Sequence, residues 1–254
     1  MSVGDISSAR PLRHEPAVGA AGQILVLVLL GAVAGLGLVG WLAGLAFAVA
    51  TWAVLVRALA RSWPAPAPFG PANAVTLART TLVGGVTALV ADLFVSRPPA
   101  LALVVLTAVA LALDAADGQV ARRTGTVSQL GARFDMEVDA FLILVLSVLV
   151  AMSMGPWALA IGAMRYVFVA AARVLPWLNG PLPPSMARKT VAALQGVVLL
   201  VAGAGIIPPG PARAAVAVAL ATLVWSFARD IRWLWRVRVP APGAMSPQAA
   251  RESV

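Results

Sequence analysis

Residues 101–150 read LALVVLTAVALALDAADGQVARRTGTVSQLGARFDMEVDAFLILVLSVLV, and this stretch decides the fold. Two apolar runs enclose a segment rich in aspartate. With their flanking residues, the runs predict helices over 99–121 and 132–153, each long enough to cross a hydrocarbon core about 30 Å thick. The stretch therefore predicts two membrane-spanning helices whose neighbouring ends carry carboxylates.

The composition of the whole chain agrees with a membrane location. Of its 254 residues, 61% are hydrophobic and only 11% are charged, with a mean hydropathy of +0.91. A soluble domain carries roughly a quarter charged residues. We therefore expect lipid to cover most of the exterior, and we predict an integral, multi-pass protein.

Several other classes of protein are excluded by residue counts. The chain has no cysteine and one histidine, so disulfides, iron–sulfur clusters, thiolate zinc sites and Ser/His triads are ruled out or disfavoured. The net charge of +9 comes almost wholly from arginines between apolar runs. That pattern is typical of membrane topology, and no nucleic-acid partner is predicted.

Prolines and glycines divide the chain. The segment SWPAPAPFGP cannot continue a helix. The predicted fold is an all-α polytopic membrane protein with a six-helix core and an N-terminal transmembrane helix pair, 23–39 and 42–59, for which one long tilted helix is the alternative. The predicted parts are a polar cytoplasmic tail (1–20), a transmembrane hairpin (21–61), a Pro-rich linker (62–71), a six-helix catalytic membrane domain (72–238) and a disordered C-terminal tail (239–254).

The basic residues predict the orientation. With the N-terminus inside, the predicted outer loops keep only Arg97 and Arg213, while the cytoplasmic segments carry most other basic residues. This asymmetry follows the positive-inside rule. We expect a protein of the bacterial inner membrane with both termini and the active site in the cytoplasm.

Four aspartates form the candidate metal site. Asp114 and Asp117 are three residues apart and share a helix face with Ala121, while Gly131, Asp135 and Asp139 follow at intervals of four on the next helix. Clustered anions at membrane depth need cations. Carboxylates alone select hard ions, so we predict two divalent ions, Mg²⁺ or Mn²⁺, acting on a pyrophosphate.

The same helix faces carry small residues and a cation. Gly118, Ala121 and Gly131 leave room for a nucleotide, and Arg122 can neutralise a phosphate. Glu137 lies on another face and is interpreted as a residue that caps a helix or pairs with an arginine.

The full pattern is D-x-x-D-G-x-x-A-R-x8-G-x-x-x-D-x-x-x-D, from Asp114 to Asp139. It resembles the signature of the CDP-alcohol phosphotransferases (CDP-alcohol phosphatidyltransferases) at every fixed position. The resemblance covers roughly residues 70–236 and implies that Asp114, Asp117, Asp135 and Asp139 bind metal. It also implies that Asp139 takes the acceptor's proton and that Gly118, Ala121 and Arg122 line the cytidine diphosphate site.

Two further segments resemble the family in part. PANAVTLAR (71–79) is similar to its P-N-x-x-T-x-x-R segment with one residue inserted, which assigns Asn73 and Thr76 to the nucleotide, although Asn73 can equally cap a helix. PSMARKT (184–190) is similar to G-K-x-K-T, but Met186 and Ala187 replace the first pair. Four basic residues are assigned to acceptor binding: Arg79, Arg165, Arg188 and Lys189. An alternative for Arg188 and Lys189 is a positive-inside anchor.

The expected function follows from these motifs. The enzyme would transfer a phosphatidyl group from a CDP-linked lipid, CDP-diacylglycerol, to a hydroxyl acceptor and release CMP. Glycerol 3-phosphate or inositol phosphate is favoured as acceptor, because the cytoplasmic rim is rich in arginine. A homodimer is expected from the resemblance. The alternative is a divalent-cation transporter or channel that uses the aspartates as its ion site.

Overall fold

The computed structural model describes residues 15–61, 71–124 and 129–237. Within these ranges the side chains of 15–17, 55, 56, 58–61, 71–74, 115–124 and 129–133 lie outside the description. The described chain is all helical and forms eight α-helices, which confirms the predicted fold class. They are α1 (Glu15–Ala34), α2 (Leu38–Arg61), α3 (Pro71–Asp92), α4 (Ala100–Thr124), α5 (Gln129–Met154), α6 (Leu159–Val174), α7 (Met186–Gly203) and α8 (Pro209–Arg236).

Within the described residues, five helices contain apolar stretches long enough to cross a membrane: α3, α5, α6, α7 and α8. The described parts of α1, α2 and α4 are apolar over shorter stretches. Predicted breakers separate the helices, as at Pro98-Pro99 between α3 and α4 and Gly155-Pro156 between α5 and α6. Gly155 has φ +105°, a conformation that side-chain-bearing residues rarely adopt, so a glycine is required at this turn.

The N-terminal segment forms two helices, and the single long helix is wrong. The turn lies at 35–37 rather than at 40–41, and Gly35 makes it with φ +68°. Gly40 lies inside α2, where a Cβ would come within 2.9 Å of the Ala88 carbonyl oxygen. The predicted break was misplaced because Gly40 serves close helix packing instead of a turn.

Two predicted boundaries also change. α1 begins at Glu15, inside the predicted polar tail, and α3 begins at Pro71, the last residue of the predicted linker. A proline fits the first helical position because its missing N–H is not needed there. The rest of the linker, most of the N-terminal tail and the whole C-terminal tail (239–254) lie outside the described residues.

Two helices organise the bundle. α3 packs against α1, α2, α4 and α5, whereas α5 packs against α3, α6 and α7. Their contact faces are fully buried at Val83, Val86 and Leu89 on α3 and at Leu146 and Val150 on α5. The α3–α5 contact therefore joins the first four helices to the last four, and the acidic residues lie on α4 and α5 near it.

Candidate active site

Among the described side chains, three carboxylates from two helices come together. Asp114 lies on α4, and Asp135 and Asp139 lie one turn apart on α5. One oxygen from each of the three lies within 4.8 Å of the others. The side chains of Asp114, Asp135 and Asp139 are 43%, 31% and 42% exposed. A ligand can therefore reach the carboxylates from one side.

Arg79 of α3 lies against all three carboxylates. Its Nη1 is 2.5 Å from Asp114 Oδ1, and its Nη2 is 2.5 Å from Asp135 Oδ1 and 2.7 Å from Asp139 Oδ1. Nη2 also donates to the Asp135 carbonyl oxygen at 3.3 Å. The Arg79 side chain is only 1% exposed. One guanidinium thus ties α3, α4 and α5 together.

The charges of the four described side chains, Arg79 and the three aspartates, do not cancel. One guanidinium faces three carboxylates, so the described cluster keeps a net charge of about −2 when all groups are ionised. Burying a guanidinium costs several kcal/mol unless anions offset it. The aspartates supply that offset and still carry enough negative charge to attract a further cation.

The donor atoms fit a hard divalent ion. Each of the three residues offers carboxylate oxygen, the ligand that Mg²⁺ and Mn²⁺ accept. All three lie close enough together to serve one cavity, and they remain partly exposed. Asp114, Asp135 and Asp139 could therefore hold a metal.

Six predicted site residues have side chains outside the described part of the structure. Asp117, Gly118, Ala121 and Arg122 lie in α4, Gly131 lies in α5 and Asn73 lies in α3. Because Asp114 and Asp117 both belong to α4, the predicted helical spacing between them is present. Their roles stay predictions.

Thr76 is described and buried. It lies on α3, one turn before Thr80, and its carbonyl oxygen accepts a hydrogen bond from the Thr80 hydroxyl at 2.7 Å. It shares that helix with Arg79, three residues further on. Its predicted contact with a nucleotide stays a prediction.

The other predicted acceptor residues have different partners. Arg165 on α6 pairs with Glu137 of α5 at 2.5 Å. Arg188, in the first turn of α7, pairs with Asp230 of α8 at 3.3 Å and donates to the Pro183 carbonyl oxygen. Lys189 is exposed. The described ion pairs of Arg165 and Arg188 are with Glu137 and Asp230 and not with the three aspartates, and the acceptor roles of Arg165, Arg188 and Lys189 stay predictions.

Sequence reasoning placed Arg79 with the acceptor and missed its carboxylate partners. The available signal was an arginine inside an apolar helix, which needs a counter-anion. Glu137 was expected either to cap a helix or to pair with an arginine, and it pairs with Arg165. Asp230 was not singled out, although its carboxylate contacts both Arg188 and Arg229.

Comparison with known proteins supports one family. The family model described as CDP-alcohol phosphatidyltransferase matches residues 69–227, well over half of the chain and all of α3 to α7. Neither the curated proteins nor the solved structures compared with the chain gave a match. The matched region contains every residue of the carboxylate cluster and Arg79. The chain belongs to the CDP-alcohol phosphatidyltransferase family, whose members are membrane enzymes that transfer a substituted phosphate group from a CDP-alcohol.

Proposed function

We propose that the protein transfers the phosphatidyl group of CDP-diacylglycerol to the hydroxyl group of a small phosphorylated acceptor, glycerol 3-phosphate or inositol phosphate, and releases CMP. The observation that carries this proposal is the meeting of Asp114, Asp135 and Asp139 within 4.8 Å. A pyrophosphate bound by divalent ions needs such a set of partly exposed carboxylates.

The proposed reaction is one displacement at phosphorus. The acceptor oxygen bonds to the β-phosphorus, and the bond from that phosphorus to the oxygen shared with CMP breaks. Asp139 takes the acceptor's hydroxyl proton, and CMP leaves with the bridging oxygen. The Asp139 side chain is 42% exposed, so an acceptor can approach it. An aspartate has an ordinary pKa near 4 and is a weak base, so most of the rate must come from charge stabilisation and orientation.

The chain's other residues would hold the donor in place. Asp114, Asp117, Asp135 and Asp139 would bind two Mg²⁺ or Mn²⁺ ions, which stabilise the negative charge that develops on the leaving phosphate. Gly118, Ala121 and Gly131 would admit the nucleotide, and Asn73, Thr76 and Arg122 would contact it. The acyl chains would lie against the apolar helix faces.

A basic rim supports a phosphorylated acceptor. Arg165 pairs with Glu137 of α5, the helix that also carries Asp139. Arg188 and Arg229 both contact Asp230, which leaves this group with a net positive charge. Exposed Lys189 follows Arg188 directly. Such residues favour a phosphate over a neutral alcohol.

The transporter alternative is disfavoured by Arg79. A cation crossing the aspartate cluster would meet a buried guanidinium 2.5–2.7 Å from the same carboxylates. That fixed positive charge repels a permeating cation. A site that binds ions for chemistry tolerates it better, because the ions need not pass.

The test is CMP release by the purified full-length protein in nanodiscs with CDP-diacylglycerol and Mg²⁺ or Mn²⁺. Each candidate alcohol is supplied separately, and omission of the alcohol gives the background. We expect release with a phosphorylated acceptor and little with serine. Failure of every acceptor with CDP-diacylglycerol would overturn the proposal, as would flux of divalent ions into proteoliposomes without nucleotide.

We also propose that both termini and the aspartate cluster face the cytoplasm of a bacterial cell, and that the protein forms a homodimer. The distribution of arginines supports the orientation. Because the chain has no cysteine, single cysteines report accessibility cleanly. An impermeant maleimide should label Arg97→Cys in intact cells and leave Ser7→Cys unlabelled. Mass photometry in nanodiscs tests the dimer.

A further inference from the structure

Arg79 uses the oxygens that a metal ion would use. Its two terminal nitrogens contact the Oδ1 atoms of Asp114, Asp135 and Asp139, at distances of 2.5, 2.5 and 2.7 Å. The same three residues form the carboxylate group that could hold a metal. A cation of the protein and a divalent ion therefore share one set of ligands.

We propose that Arg79 is a positioning residue that holds the carboxylates of α4 and α5 together and sets the affinity of the cluster for divalent ions. This inference rests on the proposed function, in which the cluster binds such ions. It gives Arg79 a role at the metal site in place of the acceptor role predicted from the sequence.

The geometry of Arg79 indicates that its guanidinium holds the three carboxylates in a fixed arrangement and does not contact them only transiently. The side chain is 1% exposed, so its guanidinium stays among its partners instead of moving into water. A planar guanidinium has donors spread over a rigid fork, which lets Nη1 reach α4 while Nη2 reaches two residues of α5. A lysine ammonium is a single point charge and cannot copy that arrangement.

The charge of Arg79 supports a role in affinity. It offsets one of the three described negative charges, and a positive charge this close repels a divalent ion in the same cavity. Its removal should therefore strengthen ion binding while the carboxylates lose their fixed separation. An arginine whose charge lay further from the carboxylates would change the affinity much less.

The Nε atom of Arg79 is buried like the rest of its side chain. Within the described chain, Arg79 Nε is buried and has no hydrogen-bond partner. Most buried donors in folded proteins are paired. The guanidinium is thus oriented by the carboxylates even though one of its own donors remains unused.

The experiment measures Mn²⁺ binding to purified full-length protein without nucleotide, by the electron paramagnetic resonance signal of the free ion. Arg79→Met should bind Mn²⁺ at least about tenfold more tightly than the wild type, since one nearby positive charge is lost. Arg79→Lys keeps the charge and should stay within about threefold. Both variants should release CMP more slowly, Arg79→Met most of all.

Arg165→Met is the matched control. It removes an arginine that pairs with Glu137 of α5 and makes no described contact with the three aspartates. We expect its Mn²⁺ affinity to stay within about threefold of the wild type, as for a more distant and screened charge.

Thermal unfolding gives an independent readout. In chelator, Arg79→Met should melt at a lower temperature than the wild type, because three carboxylates then repel each other without a counter-ion. Added Mn²⁺ should raise its melting temperature more than that of the wild type, as tighter binding requires. This measurement also shows whether the variant is folded.

Two outcomes separate the inference from the proposed function. If the wild type binds no Mn²⁺, the proposed function fails. If the wild type binds Mn²⁺ but folded Arg79→Met binds it equally or more weakly, the role of Arg79 is overturned. If Arg79→Met does not fold, Arg79→Gln replaces it in the same comparison.

Discussion

Two charged side chains are buried on α3, Arg79 in its N-terminal half and Asp92 at its C-terminal end, and they are neutralised differently. Arg79 and Asp92 are both fully buried and lie about 20 Å apart along the helix. Arg79 faces three carboxylates that are 31–43% exposed. The Asp92 carboxylate accepts hydrogen bonds from the backbone N–H groups of Gly37 and Gly40 at 3.1 and 3.3 Å, and from the Ser96 hydroxyl at 2.5 Å.

The difference separates a candidate active site, around Arg79, from a structural contact, around Asp92. Asp92 caps the N-terminus of α2, where a negative charge is favourable, and its oxygens are enclosed. At the Arg79 end, carboxylate oxygens remain within reach of a ligand. Buried charge alone therefore does not mark a functional site, whereas exposed anions around a buried cation do.

Removal of metal should have the largest effect at the Arg79 end. A chelator in excess should abolish CMP release, and Mg²⁺ or Mn²⁺ should restore it, because the carboxylates would lose the ions that stabilise the leaving group. Asp92→Ala should show the same metal dependence as the wild type. Full activity in chelator would contradict a metal-binding role for the cluster.

Asp139→Asn should have the next largest effect on the rate of CMP release. Loss of the proposed base should lower the rate of CMP release about 10²- to 10⁴-fold. The comparison is with Glu137→Gln, which changes an acidic residue of the same helix whose described partner is Arg165. We expect that control to stay within about tenfold of the wild-type rate and to lose under about 1 kcal/mol of stability, as for an exposed ion pair. Normal turnover by Asp139→Asn would remove the base from the mechanism.

Asp92→Ala should lower stability and leave the chemistry intact. It leaves the amides of Gly37 and Gly40 without their acceptor, so we expect a loss of about 2–3 kcal/mol in the free energy of unfolding. Thermal denaturation measures this, and Asp92→Asn should lose less because it keeps a carbonyl oxygen. A change in Mn²⁺ affinity at a temperature where the variant is folded would show that the two ends of α3 are coupled.

Gly162→Ala should have the smallest effect, and it should lower both the free energy of unfolding and the rate of CMP release. A Cβ at Gly162 of α6 would lie 2.5 Å from Leu144 Cα and against Ser147 Oγ, so α5 and α6 must separate. We expect a cost of about 1–3 kcal/mol and a modest fall in CMP release, since α5 carries Asp135 and Asp139. Gly210→Ala on α8 meets nothing within 4 Å and should be nearly neutral. Unchanged stability in Gly162→Ala would show that α6 can move independently of α5.

Much of the core could be predicted from the sequence, for physical reasons. Apolar runs of about 20 residues and proline or glycine breakers locate helices well. Intervals of four residues place Asp135 and Asp139 on one face of α5. The acidic pattern thus predicted a carboxylate cluster between neighbouring helices, and the structure brings Asp114, Asp135 and Asp139 together.

The contacts that could not be predicted from the sequence are those between distant parts of the chain. Helical periodicity gives the face on which Arg79 lies but not which helix that face meets. The Asp92 cap joins residues 55 and 52 positions apart through backbone N–H groups, which carry no sequence signature. Gly40 looked like a breaker, and only its approach to the Ala88 carbonyl shows that it is a packing residue.

The Asp92 cap also constrains how the protein is assembled during synthesis. The first two helices emerge from the ribosome well before residue 92, so the start of α2 reaches the membrane without its acceptor. Its amides must rely on water or lipid headgroups until the third helix has been inserted along its full length. We therefore expect α1 and α2 to take their final position in the bundle only after α3 has been inserted.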